Sequence, residues 1–150
     1  MEIILFIGAQ ATGKSSFCRN RFFESHMRVN LDMLRTRHRE RTLIEACLRC
    51  SQPFVIDNTN ATRASRERYF CWIRNLCPRS HVRGFYFQSR ARQCVQRNRM
   101  RDDKNQVPDQ AIYGTINRLE LPEYAEGFAE LNYVRIESQG FVVEKWNDEV

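Results

Sequence analysis

Residues 8–15 read GAQATGKS and match G-x-x-x-x-G-K-[ST], the pattern of a loop that cradles nucleotide phosphates. Gly8 and Gly13 permit backbone angles that bring successive N–H groups onto phosphate oxygens. Lys14 can reach the β- and γ-phosphates, and the Ser15 hydroxyl is a ligand for Mg²⁺. The sequence therefore predicts binding of ATP with Mg²⁺. The predicted nucleotide-binding residues of the loop are Gly8, Ala9, Gln10, Ala11, Thr12, Gly13, Lys14, Ser15 and Ser16.

A second acidic position belongs with this loop. The segment FVIDNTN places Asp57 at the C-terminal end of a predicted buried strand, where open α/β sheets gather their ligands. A carboxylate there can hold a water molecule bound to Mg²⁺, so we predict that Ser15 and Asp57 form the metal site. Alternatively, Asp57 caps the following turn with Asn58 and Asn60, and the two roles are compatible.

An acid and a base lie three positions apart in VNLDMLR, residues 29–35. On a helix, Asp32 and Arg35 would share one face. A kinase needs a carboxylate beside the acceptor hydroxyl, whereas a nucleotide hydrolase needs a residue that orients water. Asp32 is therefore the candidate general base, and Arg35 the candidate ligand of the acceptor's own phosphate or of the transferring group. The alternative is an exposed pair, or Asp32 as a helix N-cap with Arg35 in solvent.

A basic segment, QRNRMRDDKNQVP, lies further along the chain. Arg97 and Arg101 are four residues apart on a predicted helix that ends in a polar loop, and Arg99 lies on another face. Such a segment can close over ATP, so Arg97 and Arg101 are predicted to bind the nucleotide, and the segment can supply an arginine that stabilises charge in the transition state. The alternative is a solvated basic helix end, which the helix dipole favours.

Strands and helices alternate along the sequence, which predicts a single α/β domain over residues 1–150 with a mainly parallel central sheet flanked by helices. The predicted strands are 2–8, 53–57, 81–87, 133–138 and 141–146. The predicted helices are 14–24, one or two within 31–50, 62–76 with Thr62 as N-cap, 90–100 capped by Ser89, and a short helix with Pro108 in its first turn.

The net charge is +6 with a pI near 9.2, and twenty-one arginines stand against three lysines. Arginine grips phosphate bidentately, so a polyanionic partner is one explanation, and a GC-rich genome is another. No apolar run approaches the roughly 20 residues that cross a bilayer, so no membrane association is expected. The opening residues lack the basic region of a signal peptide, and we expect a cytoplasmic protein.

Six cysteines are scattered through predicted helices without a regular framework. Without an export signal they should remain reduced thiols. Cys47 and Cys50 form a C-x-x-C pair, but the further cysteines do not have the spacing of a zinc ribbon or finger. No zinc is expected.

The segments GAQATGKSS, VNLDMLR, FVIDNTNATRASRERY, FYFQSRARQCVQRNRMR and LELPEYAEGF occur in the order, and at about the spacing, found in the kinase domain of polynucleotide kinases. The chain resembles that family over nearly its whole length. The resemblance implies a P-loop kinase fold with a short helical lid, and transfer of the ATP γ-phosphate to a 5′-hydroxyl end of DNA or RNA. It also implies the roles of three residues: Asp32 as general base, Arg35 on the acceptor phosphate, and Arg101 as the lid arginine on the ATP phosphates.

Two departures from the family pattern leave other functions open. Leu31 stands where the family often has an arginine before the catalytic aspartate, and the chain has no Asp-Gly pair from which to build a phosphatase motif. The competing functions are a kinase of a small alcohol, such as a sugar, sugar acid or nucleoside, and a non-kinase ATPase or switch. Steep salt dependence of binding would favour a nucleic-acid acceptor.

Overall fold

The computed structural model describes residues 1–147, and its centre is a six-stranded sheet with the order β2-β3-β1-β4-β5-β6. The strands are β1 Glu2–Ile7, β2 Met27–Val29, β3 Phe54–Ile56, β4 His81–Phe87, β5 Glu130–Glu137 and β6 Gly140–Lys145. The helices are α1 Lys14–Phe22, α2 Leu31–Leu34, α3 Arg37–Cys50, α4 Arg63–Leu76, α5 Ala91–Arg99 and α6 Asp109–Asn117. Single 3₁₀ turns lie at Asp103–Asn105 and Tyr124–Glu126.

The first five strands run parallel, and β6 pairs antiparallel with β5. Residues 3–7 of the central strand β1 are fully buried, because helices cover both faces of the sheet. Side chains alternate between those faces along β1. Leu5 packs with Ile44 of α3 and Ile73 of α4, and Phe6 packs with Phe17 of α1 on the other side. The predicted α/β class and mainly parallel sheet are confirmed.

The two predicted helix N-caps, Thr62 and Ser89, have different outcomes in the structure. The Thr62 hydroxyl accepts a hydrogen bond from the Ser65 N–H at 3.1 Å, so the predicted N-cap of α4 is confirmed. The predicted cap of α5 is wrong, because that helix begins at Ala91 and no side chain caps it. The Ser89 hydroxyl instead donates to the carbonyl of Phe87 at 2.8 Å.

The strand β2 was not predicted from the sequence. The strand has only three residues, and Met27 is exposed at the sheet edge. Within residues 1–147, β2 pairs with β3 alone. Such a short segment has too few positions to display a period of two, so only its tertiary pairing identifies it.

Neither a membrane-spanning helix nor a group of three or more metal-ligating side chains is found within residues 1–147. All six cysteines are free thiols, with Cys47 buried and Cys50 exposed.

Candidate active site

The loop between β1 and α1 has the shape of an anion cradle. Gly8 has a φ angle of 151° and Gly13 a φ angle of 91°, which residues with side chains rarely adopt. A Cβ atom at Gly13 would also come within 2.9 Å of the side chains of Ile136 and Phe141. Within the described part of the chain, the N–H groups of residues 10–13 have no hydrogen-bond acceptor. These N–H groups are therefore available to donate to phosphate oxygens.

Two side chains outside the loop fix its backbone. The Ser89 hydroxyl accepts a hydrogen bond from the Ala9 N–H at 3.0 Å. Arg97 Nε donates to the carbonyl of Ala11 at 2.8 Å. Arg97, which the sequence placed on ATP, thus holds the phosphate loop itself and is not among the residues that line the cleft.

Lys14 folds over the same loop. Its ammonium donates to the carbonyls of Gly8, at 2.9 Å, and Ala9, and to the Thr12 hydroxyl at 3.2 Å. Burial lowers the pKa of Lys14 to about 8, although the nearby charge of Asp57 acts in the opposite direction. A bound phosphate would take the place of these carbonyl oxygens and raise the pKa of Lys14 back toward its ordinary value.

The two predicted metal-binding residues, Ser15 and Asp57, lie in contact beside Lys14. The Ser15 hydroxyl donates to Asp57 Oδ2 at 3.0 Å, and the side chain of Asp57 is buried. Hydroxyl and carboxylate oxygens are the ligands that Mg²⁺ prefers, and two protein ligands are enough for an ion that takes its others from phosphates and water. The residues present therefore fit Mg²⁺: Ser15 would be the direct ligand, and Asp57 would hold a metal-bound water.

A third residue, Arg28, also contacts the Oδ2 atom of Asp57. It was not predicted from the sequence. Its Nε and Nη2 atoms lie 2.8 and 2.7 Å from Asp57 Oδ2, and Nη2 also donates to Ser15 Oγ at 3.2 Å. Arg28 lies on the unpredicted strand β2, so no motif marked it. The capping alternative for Asp57 is not seen, since the described hydrogen bonds of its carboxylate go to Ser15 and Arg28.

Asp32 lies in the first turn of α2, exposed to solvent in the cleft that also contains Lys14. Asn30 is the N-cap of this helix and accepts from the Met33 N–H at 3.0 Å, so the alternative with Asp32 as N-cap is wrong. The Asn30 amide also donates to the carbonyl of Asp57 at 2.6 Å. This bond ties the helix that carries Asp32 to the end of β3.

Arg35 does not share a helical face with Asp32, and that prediction is wrong. The helix α2 ends at Leu34, and Arg35 has a φ angle of 71°, which turns the chain out of the helix. Arg35 is exposed and is not among the residues that line the cleft, whereas Arg37, two positions later, is.

A buried carboxylate underlies this part of the cleft. Glu40 is inaccessible to solvent and accepts hydrogen bonds from Arg37 at 2.7 Å, from the Tyr69 hydroxyl at 2.9 Å and from the Asn58 amide at 2.8 Å. Burial, and then the charge of Glu40, raises the pKa of Tyr69 to about 12, so its hydroxyl remains a donor. Asn58 in turn accepts from the Leu31 N–H at 2.9 Å, next to Asp32. No sequence pattern marks this network, because a lone glutamate in a charged helix resembles a surface residue.

Arg66 and Glu126 form the most deeply buried ion pair of the described chain. Arg66 Nε and Nη2 each lie 2.7 Å from a different carboxylate oxygen of Glu126, and both side chains are almost fully buried. Arg66 Nη1 donates to the carbonyls of Asn60, Ala61 and Glu120. Segments SR-x-RY and EGF are thus joined, and their contacts fix the loop after β3.

The predicted lid lies between α5 and α6. Asn98 exchanges two hydrogen bonds with the backbone of Val107, at 2.7 and 3.1 Å, and so closes the base of this segment. Arg101 lies beyond the end of α5 at Arg99, so Arg97 and Arg101 are not on one helix as predicted. Arg101 lines the cleft, and Arg99 instead pairs with Asp109 at 2.8 Å.

The cleft has a volume of about 1040 Å³ and is rich in cations. Its lining basic residues are Lys14, Arg19, Arg28, Arg37, Arg101 and Arg118. Its lining acids are Asp32, Asp57 and Asp102. Of the loop residues predicted to bind the nucleotide, Gln10 to Ser15 line the cleft, whereas Gly8, Ala9 and Ser16 do not. A cleft with more cations than acids fits a polyanionic ligand.

The family model described as an AAA domain matches residues 3–122. The bifunctional polynucleotide phosphatase/kinase of Schizosaccharomyces pombe is 27% identical over 151 residues, a match that covers 97% of this chain and 36% of that protein. The chain thus spans little more than a third of the length of this relative.

Two solved structures have a similar fold. Chaetomium thermophilum Kti12, in complex with ADP-AlF3, has a TM-score of 0.62 and 14% identity, with 89% of this chain and 88% of that chain covered. A sugar kinase from Janibacter sp. HTCC2649 has a TM-score of 0.60 and 15% identity, with 89% and 85% covered. At these identities the likeness shows the fold alone.

Proposed function

The chain belongs to the AAA domain family, and from this premise we propose that it is a kinase that transfers the γ-phosphate of ATP to the 5′-hydroxyl end of DNA or RNA. The observation that carries the proposal is the shared cleft of Lys14 and Asp32. A phosphate-binding lysine and an accessible carboxylate line one cavity, and the bond from Asn30 to Asp57 links the base-bearing helix to the metal site.

The residues have the following roles in this reaction. The N–H groups of residues 10–13 and Lys14 hold the β- and γ-phosphates, and Ser15 with Asp57 would hold Mg²⁺. When bound, the ion neutralises charge on the β- and γ-phosphate oxygens. Asp32 accepts the proton of the acceptor hydroxyl while the oxygen of that hydroxyl forms a bond to the γ-phosphorus. The bond from that phosphorus to the bridging oxygen breaks, ADP leaves, and Arg101 balances the charge of the transferring group.

The identity of the acceptor rests on two weaker supports. The relative from Schizosaccharomyces pombe is a polynucleotide phosphatase/kinase, and the match covers nearly the whole of this chain. Six basic residues and three acids line the cleft, and the net charge is +6. A neutral sugar needs no such excess, whereas a strand with phosphates does.

The test supplies γ-labelled ATP with 5′-hydroxyl oligonucleotides of DNA and RNA, beside a panel of sugars, sugar acids and nucleosides. We expect label at the 5′ end of an oligonucleotide and no label on sugars. Label that moves only to small alcohols would identify a small-molecule kinase. Release of phosphate without any labelled acceptor would identify an ATPase.

A further inference from the structure

Arg28 contacts both residues of the proposed metal site. Its Nε and Nη2 atoms lie 2.8 and 2.7 Å from Asp57 Oδ2, and Nη2 also donates to Ser15 Oγ at 3.2 Å. The side chain of Asp57 is almost fully buried, whereas 40% of the Arg28 side chain is exposed. The edge of one guanidinium therefore covers the oxygens that would bind Mg²⁺ and its water.

A metal ion on Ser15 would lie close to this guanidinium. Mg²⁺ binds its oxygen ligands at about 2.0–2.1 Å. Because Arg28 Nη2 lies 3.2 Å from the same hydroxyl oxygen, the ion and the arginine would be no more than about 5 Å apart. Two cations at such a separation repel each other strongly in a partly buried site.

Arg28 also neutralises the charge that would attract the ion. The described hydrogen bonds of the Asp57 carboxylate go to Ser15 and Arg28. Mg²⁺ gives up its water reluctantly and binds through carboxylates together with substrate phosphates. A carboxylate that is already paired with an arginine attracts the free ion weakly, whereas the phosphates of ATP bring the missing negative charge.

No other described contact holds the Arg28 side chain in this position. Its described hydrogen bonds go only to Ser15 and Asp57, and it lines the cleft. Arg66 differs, since partners in the protein bind all three of its guanidinium nitrogens. Arg28 can therefore turn into the cleft without the loss of any further hydrogen bond within the described chain.

We propose that Arg28 makes the metal site selective for Mg²⁺ that is carried by ATP. Its guanidinium excludes the free ion from Ser15 and Asp57, and it releases their oxygens to the complex of metal and nucleotide. The inference rests on the metal site of the proposed function and is independent of the acceptor. It makes Arg28 a specificity-determining residue for the phosphate donor.

The test measures binding of Mn²⁺, used as the probe for Mg²⁺, by equilibrium dialysis with and without a non-hydrolysable ATP analogue. The unmodified protein should bind Mn²⁺ with the analogue and only weakly without it. In the absence of nucleotide, Arg28→Gln should lower the Kd for Mn²⁺ by about 10- to 100-fold, the usual effect of a residue that contacts metal ligands. Mg²⁺ alone should also raise the thermal midpoint of Arg28→Gln more than that of the unmodified protein.

Two further variants make the result specific. Arg21→Gln is the matched control, because Arg21 lies on the same helix as Ser15, is exposed and does not line the cleft. It should bind Mn²⁺ as the unmodified protein does. Arg28→Gln combined with Asp57→Asn should lose the gained affinity, because the gain requires the freed carboxylate. Thermal unfolding without metal shows whether each variant is folded.

The outcomes separate this inference from the function on which it rests. Equal affinities for Mn²⁺ alone in the unmodified protein and in a folded Arg28→Gln variant would overturn it. A gain in affinity that persists with Asp57→Asn would also overturn it, because the ion would then bind elsewhere. Failure of the proposed function has a different signature, which is binding of Mn²⁺ with the analogue but no labelled oligonucleotide in the transfer test.

Discussion

The Ser15 hydroxyl lies 3.0 Å from Asp57 Oδ2, although 42 residues separate the two in sequence. The bond joins the first residues of α1 to the end of β3, at the edge of the sheet where parallel strands present their carboxyl ends. The hydroxyl and carboxylate oxygens of the proposed metal site are therefore within reach of one ion. Arg28 contacts the same carboxylate.

Loss of the metal ligand should appear as a changed demand for Mg²⁺. With Ser15→Ala, we expect the Mg²⁺ concentration that gives half-maximal transfer to rise by about 10- to 100-fold, because one direct ligand is gone. Titration of MgCl₂ at fixed ATP measures this shift. Ser138→Ala is the control, since Ser138 is exposed in the turn after β5 and does not line the cleft. An unchanged Mg²⁺ dependence in Ser15→Ala would exclude the hydroxyl as a ligand.

Lys14→Met should abolish most transfer without unfolding the protein. The substitution removes a charge that burial already disfavours and leaves a side chain of similar length, so the thermal midpoint should stay the same or rise. Transfer should fall by roughly 10²–10³-fold, the usual effect of removing a donor from a developing negative charge. Lys145→Met, at an exposed position on β6, is the control. Transfer at the unmodified rate in Lys14→Met would contradict the role of the loop.

The buried pair of Arg66 and Glu126 should dominate the stability of the loop after β3. Glu126→Gln leaves the Arg66 charge buried without a counter-charge, and the free energy of unfolding should fall by about 3–5 kcal/mol. Urea denaturation measures this change. Glu123→Gln is the matched control, because it breaks an exposed pair with Arg63 that joins the same two segments and should cost less than about 1 kcal/mol. Equal losses in the two variants would show that burial is not the cause.

These contacts also show which parts of the structure the sequence could predict. The phosphate loop is a local pattern, and Asp57 follows from the rule that ligands gather at the carboxyl ends of parallel strands. Both were therefore within reach of sequence reasoning. Arg35 was misplaced because helical spacing was extended one residue past the end of α2, where no glycine or proline marks the change.

The residues that position the site were beyond sequence reasoning for a different reason. Glu40, Arg66 and Arg28 belong to the residue types that usually lie in solvent, and only their distant partners make them buried or fixed. The family-like segments around Arg66 could be recognised as specific. Their pairing with Glu126, 60 residues away, required the structure.

Salt should separate a strand from a small alcohol as the acceptor. If phosphates of a single strand contact the cleft arginines, the logarithm of the binding constant should fall by roughly 0.7 per phosphate contact for each unit of log salt. Fluorescence anisotropy of a labelled 5′-hydroxyl oligonucleotide from 50 to 400 mM KCl measures this slope. Arg37→Gln should reduce the slope by about one contact, because Arg37 lines the cleft. Arg41→Gln should leave the slope unchanged, because Arg41 pairs with Glu45 outside the cleft. A slope of zero would argue against a polynucleotide.

The role of Asp32 tests the whole account most directly. Single-turnover transfer from γ-labelled ATP to a 5′-hydroxyl oligonucleotide should be slower by about 10²–10⁴-fold in Asp32→Asn, because the acceptor loses its base. The affinity for ATP should not change, and Asp103→Asn, at an exposed acid that does not line the cleft, should react at the unmodified rate. Transfer at the full rate in Asp32→Asn would contradict the central claim, because the carboxylate that lines the cleft with Lys14 would then have no part in the reaction.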